Sequence, residues 1–250
     1  MKANDERARR TGPRELSVDV TRLYRAIWHA NRFVIGALFR VRTEGSEHLP
    51  RAPYLLVCNH HNGFDPMIVM AVTPLAPRIT WFGPKEADFS RGFKNRVMAL
   101  FGGVIPYHPE KTTLMSAVRA VRRVFASGGV LGICAEGRVG FDETALLPFE
   151  EGAASFAAAS QVPVVPCAII GSSRLWLGRR IIVRFGAPLD VGATRDRTAR
   201  AALEGRIRDA VAALLPRTEP RLPPFRPLEG LLTDLLNGAE AVAERRGRDG

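Results

Sequence analysis

One short stretch combines residue types and spacing suited to acid–base chemistry, Asn59-His60-His61-Asn62-Gly63-Phe64-Asp65-Pro66. An imidazole with a pKa near 7 can take a proton from an alcohol. A carboxylate nearby can fix its tautomer and stabilise the imidazolium. No Ser or Cys stands beside His60 as a nucleophile, and the chain has no G-x-S-x-G elbow. His60 and Asp65 therefore point to a base that activates a substrate hydroxyl directly. Taken alone, H-x-x-x-x-D is a weak signal. Asp65 as a helix cap and His60 as a turn residue satisfy it equally well. A second group, Glu136-Gly137-Arg138, places a carboxylate and a guanidinium around a glycine turn. Such a pair suits a polyol and a phosphate, or a solvated ion pair.

These residues need elements to position them. The apolar run Tyr54–Cys58 reads as a buried strand that ends in the Asn-His-His turn, and Asp65-Pro66 supplies an N-cap and a first helical residue. A second apolar strand over 130–135 ends at Glu136. In a parallel sheet both ends lie on one edge, where open α/β sheets place their sites. Further strands are expected over 38–43, 79–82, 103–106, 162–170 and 181–185. Helices are expected over 66–72, 92–101, from 114 to Gly128, up to Ser160 and over 203–214. The alternation predicts an α/β fold, with a mostly parallel central sheet covered by helices on both faces.

This domain spans residues 41–215. Residues 1–16 are charged and expected to be disordered. Over 17–40 a helical pattern sets Leu23, Tyr24, Ile27, Trp28, Val34 and Ile35 against Arg22, Arg25, His29 and Arg32. That amphipathic helix suits the plane of a membrane surface or packing on a core. Residues 216–250 read as a Pro- and Arg-rich linker, a short apolar helix around Leu228–Leu236, and a polar tail. The short helix could dock on the domain, on a second subunit or on lipid.

The formal charge is +11, from 36 Lys and Arg against 25 Asp and Glu, which suits anionic partners. No zinc pattern or RNA-binding strand signature is present, so nucleic acid is not expected. Cys58, Cys134 and Cys167 each lie in an apolar run and read as buried core thiols of a reducing compartment. The N-terminal stretch lacks a signal-peptide pattern, and no uncharged apolar run reaches the roughly 18 residues of a membrane span.

Four blocks occur in order: Asn59, His60 and Asp65; Gly103-Val104-Ile105-Pro106; Glu136-Gly137-Arg138 with Pro148-Phe149-Glu150-Glu151-Gly152; and Val162-Pro163-Val164-Val165-Pro166. Over about residues 38–190 the chain resembles the glycerolipid acyltransferases of the lysophosphatidic acid acyltransferase type. The resemblance implies a peripheral enzyme at the cytoplasmic face of a membrane, contacting anionic lipid. It would move an acyl group from acyl-CoA or acyl carrier protein to a lysophospholipid hydroxyl, with 1-acylglycerol-3-phosphate the first acceptor to consider. It implies His60 as general base, Asp65 as its partner, and Glu136, Gly137 and Arg138 as acceptor-binding residues. A backbone N–H near the His60 turn or the third block would stabilise the oxyanion. His61 would be a neighbour that shapes or wets the site. No cofactor is implied, and His60, His61, Asp65 and His108 match no common zinc spacing. Where the second block usually ends in Arg, this chain has Tyr107-His108-Pro109, and Lys111 is the nearest cation. Arg138 with Lys85, Arg91 or Lys111 could hold a phosphate instead. Another acceptor, thioester hydrolysis, or lipid binding without catalysis are the alternatives.

Overall fold

A computed structural model of the chain describes residues 20–84, 104–107, 114–150, 152–194 and 196–249. The elements that follow run in chain order. Helix α1 (Arg22–Leu38) passes directly into strand β1 (Phe39–Glu44). Strand β2 (Tyr54–Cys58) and helix α2 (Asp65–Val72) flank the His60 turn. Next come β3 (Ile79–Pro84), β4 (Val104–Tyr107), α3 (Leu114–Ala126) and β5 (Val130–Cys134). Helix α4 (Ala153–Ser160) precedes β6 (Val164–Ile170), β7 (Arg179–Phe185) and α5 (Arg197–Ala212). The chain continues through α6 (Glu229–Asp234) and α7 (Ala239–Asp249).

The seven strands among the described residues form one sheet in the order β1-β7-β6-β2-β5-β3-β4. Every pairing is parallel except β6 with β7. The α/β architecture with a mostly parallel sheet is thus the one its alternating pattern predicts. Strands β2 and β6 are buried at every residue, as apolar runs covered on both faces must be. Two core clusters lie on opposite faces. One packs Leu56, Cys58, Ile68, Val165 and Ile169, while the other packs Leu55, Val57, Leu131, Ala157 and Ile207. β4, with Pro106 facing Gly83 in register, closes the far edge, a position where a proline costs no central ladder bond.

Three local expectations change. Helix α1 starts after Thr21, whose hydroxyl oxygen accepts the Tyr24 N–H. Its buried stripe is Tyr24, Asn31 and Ile35, and Asn31 Nδ2 donates to the Met67 carbonyl of α2. The tail after residue 238 folds as helix α7. The expected helix over 92–101 lies outside the described residues, as do residues 1–16.

Close packing at the centre of the sheet is testable. Gly132 of β5 lies beside Trp81 of β3, and a Cβ there would meet the indole at 2.7 Å. Gly132→Ala should destabilise the protein by about 1–3 kcal/mol in urea unfolding and alter Trp fluorescence; unchanged stability would contradict this packing.

Candidate active site

The β2 strand delivers His60 to the carboxyl edge of the sheet, and Asp65 opens α2 just beyond it. The Asp65 carboxylate is fully buried, so its donors must come from the protein. Its Oδ2 accepts from His61 N–H at 2.6 Å, Asn62 N–H at 2.8 Å and His60 Nδ1 at 3.0 Å. Asp65 was expected to cap its own helix, but the capping position falls on Phe64, with no side-chain bond. The carboxylate instead turns back and organises the loop that precedes it.

The other amides of the turn are also occupied. His60 N–H donates to Glu136 Oε1 at 2.8 Å, and Gly63 N–H to Asn237 Oδ1 at 2.8 Å. Phe64 N–H donates to Asn62 Oδ1 and Asp65 N–H to the Asn62 carbonyl. All six backbone donors from His60 to Asp65 therefore have protein acceptors. An oxyanion donor near the His60 turn is not to be had there without breaking one of these bonds; the third block is the other place expected for it.

Glu136 was expected to touch the acceptor. Both of its oxygens are engaged otherwise, Oε1 by His60 N–H and Oε2 by Leu147 N–H at 2.7 Å. It is buried and ties the end of β5 to the His60 turn and to the loop leading to α4. Gly140 N–H completes this junction by donating to the His60 carbonyl. Gly137 has a φ of +67°, and a Cβ there would run into the Glu150 side chain at 2.7 Å. Arg138 of this block stands exposed. Lys85, Arg91 and Lys111 lie outside the described residues.

His61 does not wet the site. It is completely buried, 3.3 Å from Asn59 Nδ2 and 3.6 Å from Glu143 Oε2. Asn59 ties β2 to β6, donating to the Ile169 carbonyl and accepting the Ile169 N–H. Glu143, which the sequence did not single out, accepts from Gly171 and Ser173 N–H. Its neighbourhood is a loop without periodicity, and nothing in the sequence marks it. Among the described residues, no three His, Cys, Asp or Glu side chains converge as metal ligands.

Electrostatics favour a charged His60–Asp65 pair. Burial alone would lower the His60 pKa. The adjoining Cys134, then the hydrogen bond and charge of Asp65, raise it by more, to well above the ordinary histidine value. Burial pushes the Cys134 thiol itself up to about 11. Burial pushes Asp65 up, but the bond and charge of His60 outweigh it and leave the carboxyl below its usual range. The His60 side chain retains 21% exposure, whereas Asp65 has none. Cys58, Cys134 and Cys167 stand in register on neighbouring strands, yet Cys134 is only half-buried and borders His60 rather than filling the core.

Residues 40–170 match the family model described as Acyltransferase. That is just over half of the chain, and the protein belongs to the acyltransferase family. It is similar to the 1-acyl-sn-glycerol-3-phosphate acyltransferase of Saccharomyces cerevisiae, with 25% identity over 156 residues. The match covers 60% of this chain and 49% of the yeast protein, so the chain spans about half the length of this curated relative. The fold is also that of the crystal structure of the 1-acyl-sn-glycerophosphate (LPA) acyltransferase PlsC from Thermotoga maritima. The TM-score is 0.57 at 18% identity, covering 76% of this chain and 79% of that one.

Glu136→Gln separates tethering from acceptor binding. It leaves one buried N–H facing an NH2 group, which should cost about 1–3 kcal/mol of stability in urea unfolding. A residue that only binds acceptor would change the acceptor KM and leave stability alone.

Proposed function

We propose that the protein is an O-acyltransferase of phospholipid biosynthesis. It transfers a fatty acyl group from an acyl-CoA or acyl carrier protein thioester to the free hydroxyl of 1-acylglycerol-3-phosphate or a related lysophospholipid. The observation that carries this reading is the His60 Nδ1–Asp65 Oδ2 bond of 3.0 Å, with a partly exposed imidazole on a family-matched scaffold. The names of the similar yeast and Thermotoga proteins support the acceptor class.

With Nδ1 held by Asp65, the other ring nitrogen of His60 takes the proton of the acceptor hydroxyl. The oxygen attacks the thioester carbonyl, giving a tetrahedral intermediate. Its collapse breaks the C–S bond, and the leaving thiolate receives the proton from His60. Arg138, exposed in the third block, is proposed to meet a headgroup phosphate, with Lys85, Arg91 or Lys111 as further partners in that role.

The deciding assay is free-thiol release from acyl-CoA with lysophosphatidic acid, with other lysolipids and with no acceptor. Release that requires a lysolipid supports transfer, whereas acceptor-independent release would make the protein a thioesterase. His60→Ala should lower transfer by roughly 10²–10⁴-fold; near-normal turnover would reject the mechanism.

The raised His60 pKa sets the pH dependence. The neutral, working base accumulates only as pH rises through that raised value. The acid limb of kcat/KM should therefore lie above about 6.5, the ordinary histidine value. A limb at or below that value would contradict the raised His60 pKa.

A lipid surface is the proposed setting. On α1, Leu23, Phe33 and Val34 are exposed to 64%, 77% and 42% beside Arg22 and Arg25. Among the described residues no helix is long and apolar enough to cross a membrane. Phe33→Asp should weaken sedimentation with anionic vesicles, and added salt should weaken it further. Equal binding by the variant would remove α1 from the membrane contact.

A further inference from the structure

The family match ends at residue 170, and no motif assigns a role to residues 227–237. This segment nevertheless lies against the catalytic turn. The Pro227 carbonyl accepts the Leu177 N–H, and Leu232 is buried in the same cluster as Phe64 and Ile68. Thr233 is wholly buried, its hydroxyl oxygen accepting the Leu175 N–H at 2.9 Å while its own carbonyl accepts from Asn62 Nδ2 at 3.1 Å. Asn237 Oδ1 accepts the Gly63 N–H, and a Cβ on residue 63 would strike the Leu236 carbonyl and lie 2.8 Å from Leu236 Cβ.

Of the six amides in the turn, Gly63 N–H alone is satisfied from outside the family-matched region. Asn62 is a relay. Its Oδ1 holds Phe64 N–H, its Nδ2 is held by Thr233, and its backbone N–H is one of the three donors on Asp65 Oδ2. A shift at residues 62–63 therefore moves the carboxylate that orients His60.

We propose that residues 227–237 are a clasp that sets the His60–Asp65 turn in its working geometry, with Thr233 and Asn237 as positioning residues. The clasp presses on the outer side of the turn and leaves the imidazole open. Among the described residues, the groups facing His60 are Asp65 from α2, Cys134 from β5 and Glu136 beyond β5, with His61 adjoining. None of them belongs to the clasp, which acts only through placement.

The test uses the full chain carrying Asn237→Leu, Gly63→Ala or Asn237→Asp. It reads kcat and KM for thiol release, the NMR titration of the His60 imidazole, and thermal melting. The activity arm rests on the acyltransferase reading; the titration does not. Asn237→Leu and Gly63→Ala should each lower kcat roughly 10–100-fold with donor KM within about twofold, since a small misplacement near the chemistry is that costly. Both should move the His60 pKa down toward the ordinary value. Asn237→Asp keeps an oxygen acceptor for Gly63 N–H and should recover most of kcat and a raised His60 pKa. Unchanged kcat and titration in the Leu and Ala variants would overturn the clasp. So would equal losses in Leu and Asp that simply track the melting temperature. If the wild-type protein transfers acyl groups to no acceptor, the enzyme reading fails, and the titration still decides the clasp.

Discussion

A carboxylate denied water has to be surrounded by donors, and the Asp65 side chain is completely buried. It gathers two backbone amides and an imidazole onto one oxygen. The path of residues 60–65 follows from that demand. The His60–Asp65 pair is thus a small folding problem as well as the centre of the candidate site. The bonds that shape the turn are the same ones that aim His60 and raise its basicity.

The sheet makes this affordable by placing rigid ends where the donors and acceptors are needed. β2 lies between β5 and β6. From β6, Ile169 grips Asn59; beyond β5, Glu136 grips His60 and Leu147. Burial raises the Glu136 pKa, and the Leu147 and His60 amides oppose that rise without cancelling it. The third motif block therefore does two different jobs. Its glutamate holds two backbone amides, and its arginine stands exposed.

Much of the fold was legible in the chain because covered parallel strands are continuous apolar runs, and Tyr54–Cys58, Val130–Cys134 and Val164–Ile170 are that kind of run. The motif residues were legible too, since turn residues and charges at strand ends stand out against such runs. Their individual bonds were not. Nothing in the residue types tells whether Glu136 faces a ligand or two amides, or that Asp65 turns away from its own helix. Glu143, Thr233 and Asn237 were invisible for a related reason: each works through partners distant in sequence, and local pattern carries no record of them. The apolar stripe of Leu228–Leu236 announced a docking helix and left its dock open; the structure seats Leu232 in the core beside the turn.

The distances along the chain between the partners have a temporal meaning. Glu136 is 76 residues beyond His60, Ile169 is 110 beyond Asn59, and Thr233 and Asn237 lie 171 and 174 residues beyond Asn62 and Gly63. During synthesis the turn emerges before its acceptors, which follow one after another. At about 5–20 residues per second, the last of them arrives roughly 10–35 seconds later. Until then the Gly63 N–H and the Asn62 side-chain NH2 lack the acceptors they have in the folded chain. The turn that carries His60 and Asp65 is thus made before the acceptors that complete its hydrogen bonds, and a nascent chain lacks the full set until residue 237 has been added.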